Sequence, residues 1–284
     1  MMLHKNLMAL CLIITTMSLP LSTLAQGISQ SPEMSEKLRL LFAKIKAETP
    51  PDPPNSVRFL GKITKNAVSD FISKNENLDI STLLIHSLGG DAEASILLAH
   101  WVMDRGLDVH VENMCASGCA NYVLAAGKNK LIGSNAVVVW HGGMYQKDFR
   151  EGYEKFLVVE RAVNRMGKEK LSKAGLIHFL DDKALWEAYA RVRSAEDRFT
   201  RRAGINEYIF RMGQEPVFYE EDCWIASTQV MIAMGYKNLI AKDPLFGTAK
   251  SLKTSIAAKV ACPKTIPTVF KFDKKGRIVL DTDF

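Results

Sequence analysis

Cys115-Ala116-Ser117-Gly118-Cys119-Ala120-Asn121 is a run of small residues between two apolar stretches of different character. Before it, Leu107, Val109 and Val111 alternate with polar residues, as in a strand. After it, Tyr122-Val-Leu-Ala-Ala-Gly127 is apolar and holds good helix formers. The run therefore marks a strand-to-helix corner, with Ser117 at or near the first turn of the helix. Free backbone N–H groups and the positive helix end converge there, which favours an alkoxide or oxyanion. A serine on such a corner is how several hydrolases present a nucleophile. The same residues also suit a purely structural corner in which Ser117 only caps the helix.

Working outward, Ile80-Ser-Thr-Leu-Leu-Ile85 is a β-rich apolar run that reads as a buried parallel strand. It ends in His86-Ser87-Leu88-Gly89-Gly90. Ala92 to Arg105 follows as a helix stopped by Gly106. Upstream, Val57-Arg-Phe-Leu-Gly61 is a short strand, and Asn66 to Asn75 reads as a helix with Val68, Phe71 and Ile72 on one face. Downstream, Val137-Val-Val-Trp140 is a further buried strand ending at His141-Gly142-Gly143. Strands alternating with helices predict right-handed βαβ connections. From Tyr145 to about Met212 the chain is charged and helical, with one amphipathic helix around Phe156 to Met166 and another over Leu185 to Phe199, where Trp186, Tyr189 and Val192 face inward. A third helix is expected over Ile205 to Arg211. The helix Ser227 to Met234 stops at Gly235, and Thr268-Val-Phe-Lys-Phe272 with Arg277-Ile-Val-Leu280 around Asp273-Lys-Lys-Gly276 predicts a hairpin.

The first 25 residues have a weakly positive start, an apolar run from Leu7 to Leu19, Pro20, and small residues at Thr23-Leu24-Ala25. This is the pattern of a secretory signal peptide cut after Ala25, too short to span a bilayer. A soluble exported protein, periplasmic or secreted, is the expectation, with Gln26 as the first mature residue. Met34 to Lys46 has apolar residues at helical spacing. Pro50-Pro51-Asp52-Pro53-Pro54 then makes a stiff linker.

Of the 284 residues, 47% are hydrophobic and 24% charged, an ordinary globular balance. The formal charge of +6 comes from Lys and Arg scattered among Glu and Asp on the expected helices, which argues against a nucleic-acid stripe. Four cysteines remain after cleavage: Cys115, Cys119, Cys223 and Cys262. An even count in an exported chain allows two disulfides in three pairings, and the pairing stays open. If Cys115 to Cys119 were regular helix, the two Cβ atoms would stand about 5–6 Å apart, beyond the usual disulfide reach.

Four landmarks now stand in a fixed order: Arg58-Phe-Leu-Gly61-Lys-Ile63, Ile85-His-Ser87-Leu-Gly89-Gly90, Cys115-Ala-Ser117-Gly118 with Ala125-Ala126-Gly127, and Val139-Trp-His141. Taken together they resemble the first strand, glycine pair, nucleophile corner and histidine-bearing strand end of Clp-type serine proteases. The chain looks like a member of the wider ClpP/crotonase-like superfamily, near its uncharacterised periplasmic branch. The resemblance covers residues 56–143 well and 217–240 loosely. It implies an α/β fold of the ClpP/crotonase-like repeated ββα superhelix, with a helical insertion and a C-terminal hairpin. The expected boundaries are a signal peptide 1–25, an N-terminal helix and Pro-rich linker 26–55, a core 56–144, the insertion 145–216, the end of the core 217–245, and an extension 246–284.

Residue by residue, the resemblance matches Ser117 to a nucleophile and His141 to its general base, with Asp222 before the last core helix as the acid and Glu220 and Glu221 as rivals. The backbone N–H groups of Gly90 and Gly118 match the oxyanion hole. In such a triad the base takes the serine proton while the carboxylate fixes the imidazole tautomer. Leu88 stands where the family has proline, and the stretch from His141 to Asp222 is longer than the family's single handle helix. These imply an ATP-independent serine hydrolase, a peptidase acting on peptides or unfolded chains. A homo-oligomer is implied as well. No ATPase partner, nucleic acid, stable membrane insertion, cofactor or metal is expected. The alternative is a catalytically inactive ClpP-like binding or scaffold protein, because fold does not fix function. His141 also suits a strand-end structural role, and Asp222 a helix cap. His86 reads as packing at its strand end, His100 and His178 as helical and structural. Cys115 and Cys119 lack Cys-X-X-Cys redox spacing.

Overall fold

The computed structural model describes residue 40 and residues 51–134, 136–167, 169, 172, 182–218, 223–243, 246–248 and 268–281. The signal segment, the N-terminal helix around Leu41, His178, Glu220, Glu221, Asp222 and Cys262 lie outside the described residues. Thr49–Phe284 forms one compact unit, distinct from Met1–Glu48.

Within that unit a parallel sheet is built on β3 (Asp108–Ala116). β1 (Ser56–Leu60) pairs with β2 (Thr82–Ser87), and β2 with β3, all parallel. The crossovers are α1 (Lys65–Asn75) and α2 (Ala92–Asp104). Each begins where the sequence supplies a cap. The Thr64 hydroxyl accepts from Ala67 N at 3.2 Å, and Asp91 Oδ1 from Ala94 N at 2.8 Å, each worth about 1 kcal/mol. Leu83, Leu84 and Ile85 are all buried, the continuous apolar signature of a strand covered on both faces. Phe59, Phe71 and Trp101 stack edge-on at 5.2 and 5.6 Å and seat the two helices on the sheet.

β3 then forks. Its first half pairs with β4 (Lys130–Ile132), which continues to β7 (Leu239–Ala241); its last three residues pair with β5 (Val137–Val139). A bulge between Ile85 and Ser87 accompanies the change of direction. Strands β4 and β7 have three residues each, too few for the alternation on which the sequence reading rests. A second sheet joins β6 (Trp224–Ala226), β8 (Thr268–Phe272) and β9 (Ile278–Leu280), the last two as the expected antiparallel hairpin. The sheets meet at an antiparallel bridge between Trp140 and Trp224, both wholly buried. The charged stretch after Tyr145 forms α3 (Lys147–Met166) and α4 (Lys183–Ala203), while the helix expected over Ile205 to Arg211 shortens to a 3-10 turn, Glu207–Phe210. After it, α5 (Thr228–Ala233) is capped by Ser227. The chain is α/β, as expected.

Candidate active site

Parallel strands carry their C-terminal ends to one edge, and ligands of α/β sheets bind at that edge. β2, β3 and β5 are adjacent and parallel. Their ends deliver, respectively, the Leu88-Gly89-Gly90 turn, Ser117, and His141.

Ser117 has φ +55°, a left-handed backbone rare for a residue with a side chain. Such a residue stores on the order of 1–3 kcal/mol and persists only when its surroundings hold it. Three ties do so here. Ser117 N–H donates to Val139 O at 3.0 Å, and Ser117 O accepts from Asn121 N–H at 2.8 Å. A Cys115–Cys119 disulfide closes across the corner with Cα atoms 5.2 Å apart. The bridge forms because the corner is not regular helix: Cys115 is still in the strand, one residue from its end, and Cys119 opens a π-helix (Cys119–Leu124). Ser117 Oγ makes no hydrogen bond among the described residues.

The glycine turn lies directly on this corner. Gly89 has φ +81°, and a Cβ there would fall 2.7 Å from Gly118 N and 2.8 Å from Ser117 Cβ. Side chains are excluded on both conformational and steric grounds. Ser87 Oγ accepts from Gly89 N–H at 2.9 Å. Ile63 donates to Gly89 O and accepts from Asp91 N–H, both at 2.9 Å. That pairing leaves the N–H of Gly90 unused, and the N–H of Gly118 is likewise unbonded among the described residues. Two amide donors, one on the corner and one on the turn packed against it, thus make no hydrogen bond among the described residues.

His141 follows β5 and its bridge residue Trp140. Its carbonyl accepts from Gln214 Nε2 at 3.1 Å, and the next carbonyl, Gly142 O, accepts from Asn121 Nδ2 at 2.8 Å. Burial lowers the imidazole pKa, with the residue's own backbone opposing. The ring is therefore neutral at pH 7, the form a general base requires. No hydrogen bond joins the ring to Ser117 Oγ among the described residues. Cys223 is disulfide-bonded and buried. It leads straight into Trp224, so the chain enters β6 beside Trp140 and His141.

His86 and His100 behave as packing groups. His86 is 1% exposed and burial pushes its pKa down to about 4, against a weaker opposing pull from Glu112. His100 Nδ1 lies 2.9 Å from Arg202 Nη1. Among the described residues, no three His, Cys, Asp or Glu side chains gather as a metal site.

Sequence reasoning missed Ser87, Asn121, Gln214 and Glu196. Asn121 carried a signal, since it lies four residues, one helical turn, after Ser117. Glu196 carried one too: it continues the inward stripe of Tyr189 at a spacing of seven, where a charge is out of place. It is 1% exposed, and burial raises its pKa to about 7 despite hydrogen bonds from Tyr122 and Met144. Ser87 and Gln214 had none, because a lone polar residue in a strand or turn says nothing of its partner. Beyond Gln214 opens a cavity of about 130 Å³ lined by Tyr145, Arg150, Arg211 and Glu215.

No protein-family model matches the chain, and no curated protein matches it. Among solved structures, a ClpP1 mutant from Listeria monocytogenes is 13% identical, covering 73% of this chain and 96% of its own, with a TM-score of 0.34. ClpP1 from the same organism is 18% identical over 48% of this chain and 82% of its own, with a TM-score of 0.28. The ClpP protease catalytic domain from Plasmodium falciparum is 18% identical over 40% of this chain and 62% of its own, with a TM-score of 0.26. Each of these three solved structures is of a ClpP protein.

Proposed function

We propose that the chain is an exported, ATP-independent serine hydrolase, a peptidase, with Ser117 as nucleophile and His141 as general base. The observation that carries this reading is the left-handed Ser117 at a strand-to-helix corner, with the Gly89-Gly90 turn packed against it and the N–H groups of Gly90 and Gly118 unbonded among the described residues. A tetrahedral oxyanion would take both donors, and each such donor is typically worth a few kcal/mol in the transition state. Asp222 is proposed as the acid that fixes the His141 tautomer. The entry of Cys223 and Trp224 beside Trp140 supports it. The substrate is a peptide or an unfolded chain, and the periplasm is the proposed compartment on the strength of the first 25 residues.

An inactive binding protein on the same scaffold is the second reading. What favours it is that the Ser117 hydroxyl and the His141 ring are not hydrogen-bonded, although such bonds often tighten only with substrate. Incubating purified protein with unfolded protein and peptide libraries, without nucleotide, separates the two. The hydrolase reading expects cleavage that Ser117→Ala and His141→Ala abolish; intact substrates with folded wild-type protein would support the second.

A further inference from the structure

We infer that Glu196, on the helical insertion, is a positioning residue that locks the His141 loop to the nucleophile-bearing helix. The inference rests on the hydrolase reading above. Glu196 Oε2 accepts from the Tyr122 hydroxyl at 2.5 Å, and Tyr122 lies in the π-helix that follows Ser117. The same carboxylate accepts from Met144 N–H, at 3.1 Å to Oε1 and 3.2 Å to Oε2. Met144 is three residues after His141. One buried side chain therefore spans the two segments whose spacing decides whether hydroxyl and imidazole meet.

Neighbouring groups tighten the same clamp. Tyr189, on the same helix, donates its hydroxyl to Met144 O at 2.5 Å. Tyr145 donates to Asp197 at 2.9 Å. Gly143 leaves room for the carboxylate: a Cβ there would sit 3.1 Å from Glu196 Oε2 and 2.9 Å from Phe210 Cβ. Both carbonyls of His141 and Gly142 are fixed from other directions by Gln214 and Asn121. Asn121 thus ties the loop to the start of the π-helix, and among the described residues Glu196 is the hold that reaches Tyr122. Titratable groups facing it among the described residues are Tyr122 of the π-helix, Glu207 of the turn after α4, and Tyr189 and Asp197 of α4 itself. A helix that reads as solvated surface is, on this account, the strut of the site. Glu196 is not among the groups that shift the His141 ring, so it acts through the loop backbone and not on the imidazole.

The test compares wild type, Glu196→Gln and Tyr122→Phe for the rate at which a fluorophosphonate labels Ser117, per folded molecule, across pH 5–9. Glu196→Gln is expected to label at least tenfold more slowly, and on a peptide substrate to lower kcat with KM unchanged. Loosening the loop exposes the imidazole, so the pH midpoint of labelling should rise toward the ordinary histidine value of about 6.5. Tyr122→Phe removes one hydroxyl and should give a smaller loss in the same direction, and the double variant should lose less than the product of the two. It also keeps the inference testable should Glu196→Gln fail to fold. Labelling at the wild-type rate and midpoint in folded Glu196→Gln, or in Tyr122→Phe where the first does not fold, overturns the inference. An unlabelled wild type overturns the hydrolase reading itself, and with it this inference.

Discussion

Adding one methyl group at Gly118 should disturb the corner measurably, and the structure sets the size of the effect. Gly118 has an ordinary helical backbone, φ −54° and ψ −27°, so conformation does not require glycine there. Space does. A Cβ would fall 2.3 Å from Ser95 Oγ and 2.9 Å from Ser95 Cβ, on the first turn of α2. Ser95 is wholly buried, and its hydroxyl donates to Asp91 O at 2.8 Å. Gly118→Ala must push the hydroxyl off that bond, a loss of about 1 kcal/mol. It must also overpack the contact, which costs about 1–3 kcal/mol. The sum is about 2–4 kcal/mol, which for a unit of this size lowers Tm by roughly 5–15 °C. Removing the obstacle should return most of it. Ser95→Ala leaves the 2.9 Å contact and rescues in part, whereas Ser95→Gly clears both atoms and rescues further. Thermal unfolding of the double-mutant cycle measures this coupling directly. A Gly118→Ala variant melting within 1 °C of wild type would refute the close approach of α2 to the corner, and so would equal destabilisation with and without Ser95.

The buried carboxylate at Glu196 makes stability depend on pH in a definite sense. Burial raises its pKa from the ordinary 4.5 to about 7, so the folded chain holds a proton that the unfolded chain has lost. Its contribution is complete below pH 4.5 and is lost as pH rises through 7, about 3 kcal/mol in all. His86 runs the other way: with a folded pKa of about 4, it removes stability as pH falls below 6.5. Urea unfolding of wild type against Glu196→Gln at pH 5 to 8 should therefore show a falling slope that the variant lacks, and equal slopes would count against the assignment. Replacing Cys115 and Cys119 together by alanine should cost about 2 kcal/mol, the entropy of so short a loop. It should also slow Ser117 labelling, because the bridge spans the strained residue; unchanged labelling would show the strain is held by hydrogen bonds alone.

The α/β order was legible because strands β1, β2 and β3 carry apolar or alternating runs, β5 is three consecutive valines before Trp140, and Thr64, Asp91 and Ser227 announce their helices. The site was legible in part, since Gly89, Gly90, Ser117 and His141 stand where secondary structure ends and small residues cluster. The fork of β3 was not, because β4 and β7 are short strands without a run of β-branched residues like that of β5, and they pair with each other more than 100 residues apart. Nor was the β6 bridge: the three residues Trp224–Ala226 lie just before the Ser227 helix and show no alternation, yet Trp224 pairs with Trp140 and donates its indole N–H to Ile209 O. The disulfide was left open since the helical spacing argument holds only for a regular helix, and a left-handed serine breaks that premise. Glu196 was hidden by its neighbours, for Arg193, Asp197 and Arg198 give its helix the look of a solvated surface.

The most direct measurement is a peptide map of the folded protein after treatment with a fluorophosphonate. The account predicts a single phosphonylated residue, Ser117, with labelling abolished in Ser117→Ala and strongly slowed in His141→Ala. Folded protein that takes up no label, or takes it elsewhere, would contradict it.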